Sequence, residues 1–317
     1  MGRMARQELA SAGIADPALR SAYRLARRLN AEHGRTYYLA AMLLPPAKRP
    51  HVHALYGFAR YADDIVDDLD PGIDAQLRAD RFARWSAAVL ADLDRGWSAD
   101  PVCRALLHTI DTWQLPSSYF ADFLSSMRAD LVVTRYERYA DLAAYMWGSA
   151  AVIGLQMLPI LGQAGPDVPG PQLRRRAIDL GLAFQLTNFI RDIGEDLDRG
   201  RIYLPQESLR MFGVEPAQLR AARTSGAVDE PIRRLVRFEI ERARALYASA
   251  EQGIELVHPT SRDCLRTALT LYRDILLRVE QADYNVFAGR ASVPLRRRAR
   301  VAGLGLVRAR RVRARYA

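Results

Sequence analysis

Two stretches of this 317-residue chain set carboxylates at helical spacing inside an otherwise apolar pattern. The first is Tyr56 to Asp70, YGFARYADDIVDDLD; the second is Gln185 to Asp198, QLTNFIRDIGEDLD. A helix advances about 100° per residue. Tyr56, Arg60, Asp63 and Asp67 therefore share a strip roughly 60° wide. Gln185, Asn188, Asp192, Glu195 and Asp196 share an arc of about 100°. Leu55, Phe58, Ile65, Leu186 and Ile190 bracket the two strips with apolar surface. Carboxylates clustered against core repel one another, and burying unpaired charge is costly. Magnesium (or manganese) removes that cost, since it takes oxygen ligands and is usually completed by substrate phosphate. One such strip alone reads better as a solvated helix with i,i+4 ion pairs. Two of them, the second extended to N-x-x-x-D-x-x-E-D, favour two helices that face each other across one cavity and hold metal against a diphosphate. Asp64 and Asp68 lie one position round, as supporting or solvated carboxylates.

The rest of the pattern is helical. Asp16-Pro17 starts a helix to about Glu32, and Arg35 to Leu44 is a short apolar helix closed by Pro45-Pro46. The acidic helices are expected over 47–69, closed by Pro71-Gly72, and over 172–196. Others are expected over 74–93, 101–113, 116–134, 216–222, 231–255 and 261–288, with a short one beginning near Pro205. Leu142 to Leu161 is the most apolar stretch; Gly148, Gly154, Gln156 and Pro159 within it suit a closely packed central helix better than a membrane span. No period-2 run of β-branched residues bounded by turns and no repeat of 20–50 residues is found. The expected architecture is all-α, a single-domain helical bundle: an extension over 1–16 that is a short helix or a frayed end, a catalytic domain over 17–290, and a basic tail over 291–317.

The formal charge is +10, yet from Arg290 onward there are ten arginines and no acidic residue, so the body is near neutral. Such a tail suits anionic lipid or nucleic acid, against the plainer reading of a solvated, frayed end. Cys103 and Cys264 have no metal-ligand spacing and are expected to be reduced and buried. No apolar leader is seen at the N-terminus and no uninterrupted apolar run approaches the ~18 residues of a spanning helix, so a cytoplasmic protein is expected, in membrane association at most peripheral. Among the five histidines, His51 and His53 fall on opposite sides of a helix and form no metal site; His108 and His258 read as surface or capping residues.

DDIVDD, followed about 125 residues later by NFIRDIGEDLDRGRIYLP, resembles the two signatures of the squalene/phytoene synthase family, head-to-head trans-isoprenyl diphosphate synthases. The resemblance runs from about His33 to Arg290. The segment HGRTYYLAAMLLPPAKRPHVHALYGFARYADDIVDD is most similar to bacterial, especially actinobacterial, phytoene-forming members. The resemblance implies the class I terpene-synthase fold and condensation of two geranylgeranyl diphosphates. Magnesium held by Asp63, Asp67, Asn188, Asp192 and Asp196 would draw off one diphosphate, and prephytoene diphosphate would ionise again and rearrange to phytoene. It implies phosphate-binding roles for Arg60, Arg191 and Arg201, a polar role for Gln185, a place for Tyr272 near the diphosphate, a role for His33 near the diphosphate or in structure, and a structural role for Arg290. Cation-facing aromatic residues are expected among Tyr37, Tyr38, Tyr56, Trp147, Phe184 and Tyr272.

Two departures stand out. Where many members have H-S-x-S-F, this chain has His33-Gly34-Arg35-Thr36-Tyr37; Thr36 still offers a hydroxyl to phosphate, and Gly34 offers none. Where many have Y-C-Y-G with a proton-transferring tyrosine, this chain has Tyr145-Met146-Trp147-Gly148. Trp147 is no base, which leaves released diphosphate or Tyr145 to act. A C30 enzyme using farnesyl diphosphate is the main alternative. No Gly-rich dinucleotide fingerprint is seen, so no NADPH is expected. A cyclising terpene synthase would carry N-D-x-x-S/T-x-x-x-E as second motif, which this chain lacks. A non-enzymatic lipid-binding scaffold leaves the acidic helices without purpose. Prenyl diphosphates, with no nucleic acid, are the expected partners, and the basic tail is the expected membrane contact.

Overall fold

Aspartates followed by proline or a polar turn set the helix starts. Asp16 accepts from Leu19 N, Asp100 from Val102 N and Cys103 N, and Asp229 from Ile232 N, each with proline in the first turn, where its missing N–H costs nothing. The computed structural model describes residues 3–68 and 74–316. It contains α1 (Arg3–Ser11), α2 (Pro17–His33), α3 (Arg35–Ala41), α4 (Arg49–Val66), α5 (Ala75–Arg95), α6 (Pro101–Trp113), α7 (Ser118–Ala129) and α8 (Tyr139–Met146). After a π-helical turn, Trp147–Ala151, come α9 (Val152–Leu161), α10 (Gly170–Arg191), α11 (Ile193–Asp198), α12 (Gln206–Met211), α13 (Pro216–Ser225), α14 (Glu230–Glu251), α15 (Pro259–Gln281) and α16 (Leu295–Arg313). The described residues hold no strand, only isolated bridges Arg135–Ile202 and Gln163–Val257. The all-α expectation therefore holds. The Pro71-Gly72 stop lies outside the described residues.

One apolar core gathers residues of α8, α10, α14 and α15; a second gathers α4, α5, α6, α7 and α9. Phe184 and Leu265 pack against both. The apolar stretch after Leu142 is long and apolar enough to span a membrane, but it is mostly buried between α7 and α10. Small residues allow that. A Cβ on Gly154 would lie 2.3 Å from Ala177 O of α10, and one on Gly181 of α10 would lie 2.5 Å from Ala150 O. At the start of the π turn, the Tyr145 carbonyl accepts from Ser126 Oγ of α7 at 2.9 Å.

Two expectations change and a third narrows. The second acidic helix is not continuous: α10 ends at Arg191, and α11 starts after a break at Asp192. The first segment takes the helical one of its two alternatives, and α1 is docked, with Leu9 and Ile14 buried and Glu8 paired to Arg27 and to Arg49 at 3.2 and 3.0 Å. The basic C-terminal segment is no frayed end but a helix packed along α15. Both cysteines are buried and free, and His258 caps α15 by accepting from Thr260 N. His108, expected at the surface or in a cap, is half-buried and stacks on His51, with Tyr23 Oη bonded to its Nδ1 at 2.8 Å.

The close approach of α10 to the π turn gives a direct test. Gly181→Ala is expected to lower stability by about 1–3 kcal/mol, through overpacking against a backbone carbonyl that cannot swing away. Urea unfolding measures it; an unchanged midpoint would mean the helices separate freely there.

Candidate active site

Asp67 and Asp192 occupy equivalent places. Each closes its acidic helix in nearly the same backbone conformation, φ −100° and ψ 11° for Asp67, φ −102° and ψ 11° for Asp192. A helix C-terminus carries partial negative charge, so a carboxylate there is unfavourable until a cation joins it. Arginines do so here. Asp67 accepts from Arg201 Nη1 at 2.9 Å and from Arg199 Nη1 at 3.2 Å. Asp192 accepts from Arg191 Nε and Nη2 at 2.7 and 2.5 Å, and from Arg290 Nε and Nη2 at 2.9 and 3.1 Å. Burial alone would raise the Asp192 carboxyl, but the two guanidinium groups outweigh it and hold it below its ordinary value. Arg290 also lies 3.3 Å from Glu195. Its expected structural role is thus corrected: it reaches the site itself.

Among the described residues the other two aspartates have no such partner. Asp63 is pushed up to about 7, first by burial and then by the charge of Asp67. Asp196 is pushed up to about 8, first by burial, then by Asp192, with Asp67 adding. Arg201 donates its backbone N–H to Asp196 O at 2.8 Å and its Nη1 to Asp67 at 2.9 Å, so the ends of the two acidic helices lie opposite each other, as their spacing suggested. Arg60 pairs with Asp64 rather than Asp63. Gln185 Oε1 accepts from Asn188 Nδ2 at 3.5 Å, and the buried Asn188 Oδ1 has no partner.

Beside the charges stands an aromatic wall. Tyr37 of α3 lies 5.1 Å from Tyr272 of α15 and 6.1 Å from Tyr56 of α4, and Phe184 of α10 lies 4.3 Å from Tyr272, centroid to centroid. Burial raises the phenols of Tyr37, Tyr56 and Tyr272. Gly34 has a packing reason: a Cβ there would sit 2.6 Å from the Tyr56 ring. Tyr38 is elsewhere, stacked on His53. His33 is exposed and Thr36 half-buried, and neither side chain makes a hydrogen bond among the described residues, so the structure does not tie them to the site.

Trp147 also leaves the set. It is 40% exposed and donates Nε1–H to Asp122 at 2.9 Å on the outer face. The concern that tryptophan replaces a site tyrosine is therefore misplaced, because it is Tyr145 that points inward. Its Oη donates to Asp130 Oδ2 at 2.5 Å, and Tyr203 Oη donates to Asp130 Oδ1 at 2.9 Å. Burial pushes Asp130 up to about 6, against both phenols, which lower it. The charge of Asp130 also acts on Asp63. Sequence reading missed Asp130 because a single aspartate inside a helix expected over 116–134 reads as a solvated side chain; the observed helix stops at Ala129.

Among the described residues no three carboxylate, histidine or cysteine groups converge to enclose an ion by themselves. That arrangement suits magnesium, which commonly takes one or two carboxylates and completes its shell with water and phosphate. The orphaned Asn188 Oδ1, Asp63 under the charge of Asp67, and Asp196 under the charge of Asp192 are the donor set it would use.

These shifts imply a pH signature for metal-free protein. Asp63 and Asp196 bind protons more tightly folded than unfolded, so stability is lost as pH rises from the ordinary carboxylate range to about 8. His51 and His53, lowered by burial to about 4 and about 3, act oppositely, but only up to the ordinary histidine range near 6.5. The melting temperature in chelator is therefore expected to fall between about pH 6.5 and 8 and to flatten in Asp63→Asn/Asp196→Asn. An equal fall in that variant would contradict the assignment.

Comparison with known proteins agrees with this geometry. Residues 30–297 match the squalene/phytoene synthase family model. The chain is 38% identical to the phytoene synthase of Arthrospira platensis over 93% of its own length and 96% of that protein. It is 36% identical to 15-cis-phytoene synthase of Synechocystis sp. over 86% of its length and 81% of that protein's. Among solved structures, a dehydrosqualene synthase with bound ligand superposes with a TM-score of 0.80 at 27% identity, over 92% of this chain and 98% of that one. Squalene synthase HpnC from Alicyclobacillus acidocaldarius does so with a TM-score of 0.74 at 27% identity, over 87% of this chain and 99% of that one. With its paired aspartates at facing helix ends and a family match across most of its length, the chain belongs to the squalene/phytoene synthase family.

Proposed function

We propose that the chain condenses two geranylgeranyl diphosphates head to head, through prephytoene diphosphate, to phytoene, releasing two diphosphates. The observation that carries this is the opposition of Asp63 and Asp67 to Asp192 and Asp196, walled by aromatic rings; the phytoene synthases similar over nearly the whole chain supply the product. Asp63, Asp67, Asn188, Asp192 and Asp196 would hold magnesium with the diphosphate, and the metal would supply positive charge to offset the leaving group. Arg191 and Arg290 at Asp192, and Arg199 and Arg201 at Asp67, offer guanidinium groups suited to phosphate oxygens, as does Arg60 on α4, which pairs with Asp64. Gln185 and Asn188 orient the polar end. Phe184, Tyr37, Tyr56 and Tyr272 present ring faces that favour an allylic cation and exclude water. Asp130, whose proton affinity is raised towards neutrality, is the protein group suited to accept a proton near Tyr145.

A C30 reading is kept because the two solved structures named above are named for C30 products. Incubation with geranylgeranyl or farnesyl diphosphate and magnesium, with and without NADPH, separates the readings by product mass. The expected outcome is a C40 hydrocarbon from geranylgeranyl diphosphate, unaltered by NADPH; a C30 product alone would overturn it. Asp63→Ala and Asp192→Ala are each expected to lose about 10³-fold or more in turnover with the fold kept by circular dichroism. Retained activity in both would remove the metal-site assignment. Asp130→Asn is expected to lose about 10²-fold and to remove the acid limb of the pH–rate profile; an unshifted profile would make Asp130 merely structural.

A further inference from the structure

Helix α16 has two unlike faces. Its inner face is built for contact with the bundle. Gly305 and Ala309 are buried, and a Cβ on Gly305 would lie 2.4 Å from Leu43 Cδ2. Arg297 pairs with Asp274 through Nε at 2.7 Å, Arg308 Nε with Asp263 at 2.8 Å, and Arg313 Nη1 donates to Leu44 O at 3.4 Å. These contacts fix which side of the helix is left outward.

The outward side combines charge and grease. At about 100° per residue, Arg296, Arg300, Leu304, Val307, Arg311 and Arg315 share an arc of about 100°, opposite Gly305 and Ala309. Leu304 and Val307 are 55% and 49% exposed. The four arginines are exposed and have no carboxylate partner among the described residues, and no acidic residue follows Arg290. Leu304 and Val307 lie together at the centre of the arc, with the four arginines around them.

We propose that this face docks on an anionic lipid bilayer. The arginines engage headgroup phosphates, and Leu304 and Val307 enter the boundary between headgroups and acyl chains. Basic amphipathic helices bind membranes in this way, by apolar insertion plus attraction to anionic lipid. A nucleic-acid surface would use the arginines and leave the aliphatic pair idle in water. Docking stands on the helix itself; only its purpose, handing a hydrocarbon without polar groups to lipid rather than water, rests on the proposed function.

The test is co-sedimentation of the full chain with phosphatidylcholine vesicles and with vesicles that also contain phosphatidylglycerol. Binding is expected only to the anionic vesicles and is expected to weaken with salt. Arg300→Gln/Arg311→Gln should weaken it about 25-fold, at about fivefold per arginine. Leu304→Ser/Val307→Ser should weaken it by about tenfold or more. Both variants lie on the outward face and are expected to keep the melting temperature and the turnover in detergent. Equal binding to neutral vesicles, or undiminished binding by either variant, would overturn the proposal. So would tighter binding to duplex DNA, indifferent to the Leu304/Val307 pair. Vesicle binding by a chain that turns over no prenyl diphosphate would strike the proposed function and leave the docking intact.

Discussion

The site depends on a charge conflict at two helix ends. Asp67 and Asp192 sit where α4 and α10 already present partial negative charge, and each adds a full one. Four arginines from three segments answer that conflict: Arg191 at the end of α10, Arg199 and Arg201 after α11, and Arg290 before α16. The Asp67–Arg201 pair therefore joins the first acidic helix to the loop behind the second. Chain segments that are distant in sequence meet at these two carboxylates.

The arginines do not serve all four aspartates. They hold Asp67 and Asp192 and leave Asp63, half-buried, and Asp196, buried, with no ion-pair partner among the described residues and with proton affinity raised towards neutrality. Such a division is poor design for stability and sensible for binding. Groups that are costly to leave charged gain most from an added cation. The aromatic wall formed by Tyr37, Tyr56, Phe184 and Tyr272 lies beside the charges, so a substrate with an anionic head and an apolar chain meets both surfaces at once.

Much of this was legible because helical spacing is local. The strips containing Asp63 and Asp192, the aspartate–proline helix starts and the small residues of Leu142–Leu161 all act within a turn or two of themselves. What escaped depends on side chains meeting across the fold. Asp130 gains its role only when Tyr145 and Tyr203 converge on it from α8 and the RIYLP loop. Arg290 joins the site because the chain returns past α11. The break at Asp192 was hidden because periodicity carries through it. The C-terminal arginines looked like a frayed tail because composition does not show Asp263 and Asp274 waiting on α15 for Arg308 and Arg297.

The central claim is that the bare and arginine-held aspartates act together as one metal–diphosphate site. Electron paramagnetic resonance of manganese, titrated in the presence of inorganic diphosphate, tests it most directly. Tight manganese binding that needs diphosphate is expected for the unsubstituted chain, with at least about a tenfold loss in Asp63→Asn and in Asp196→Asn taken separately. Manganese binding that is independent of diphosphate, or unchanged in both variants, would contradict the account.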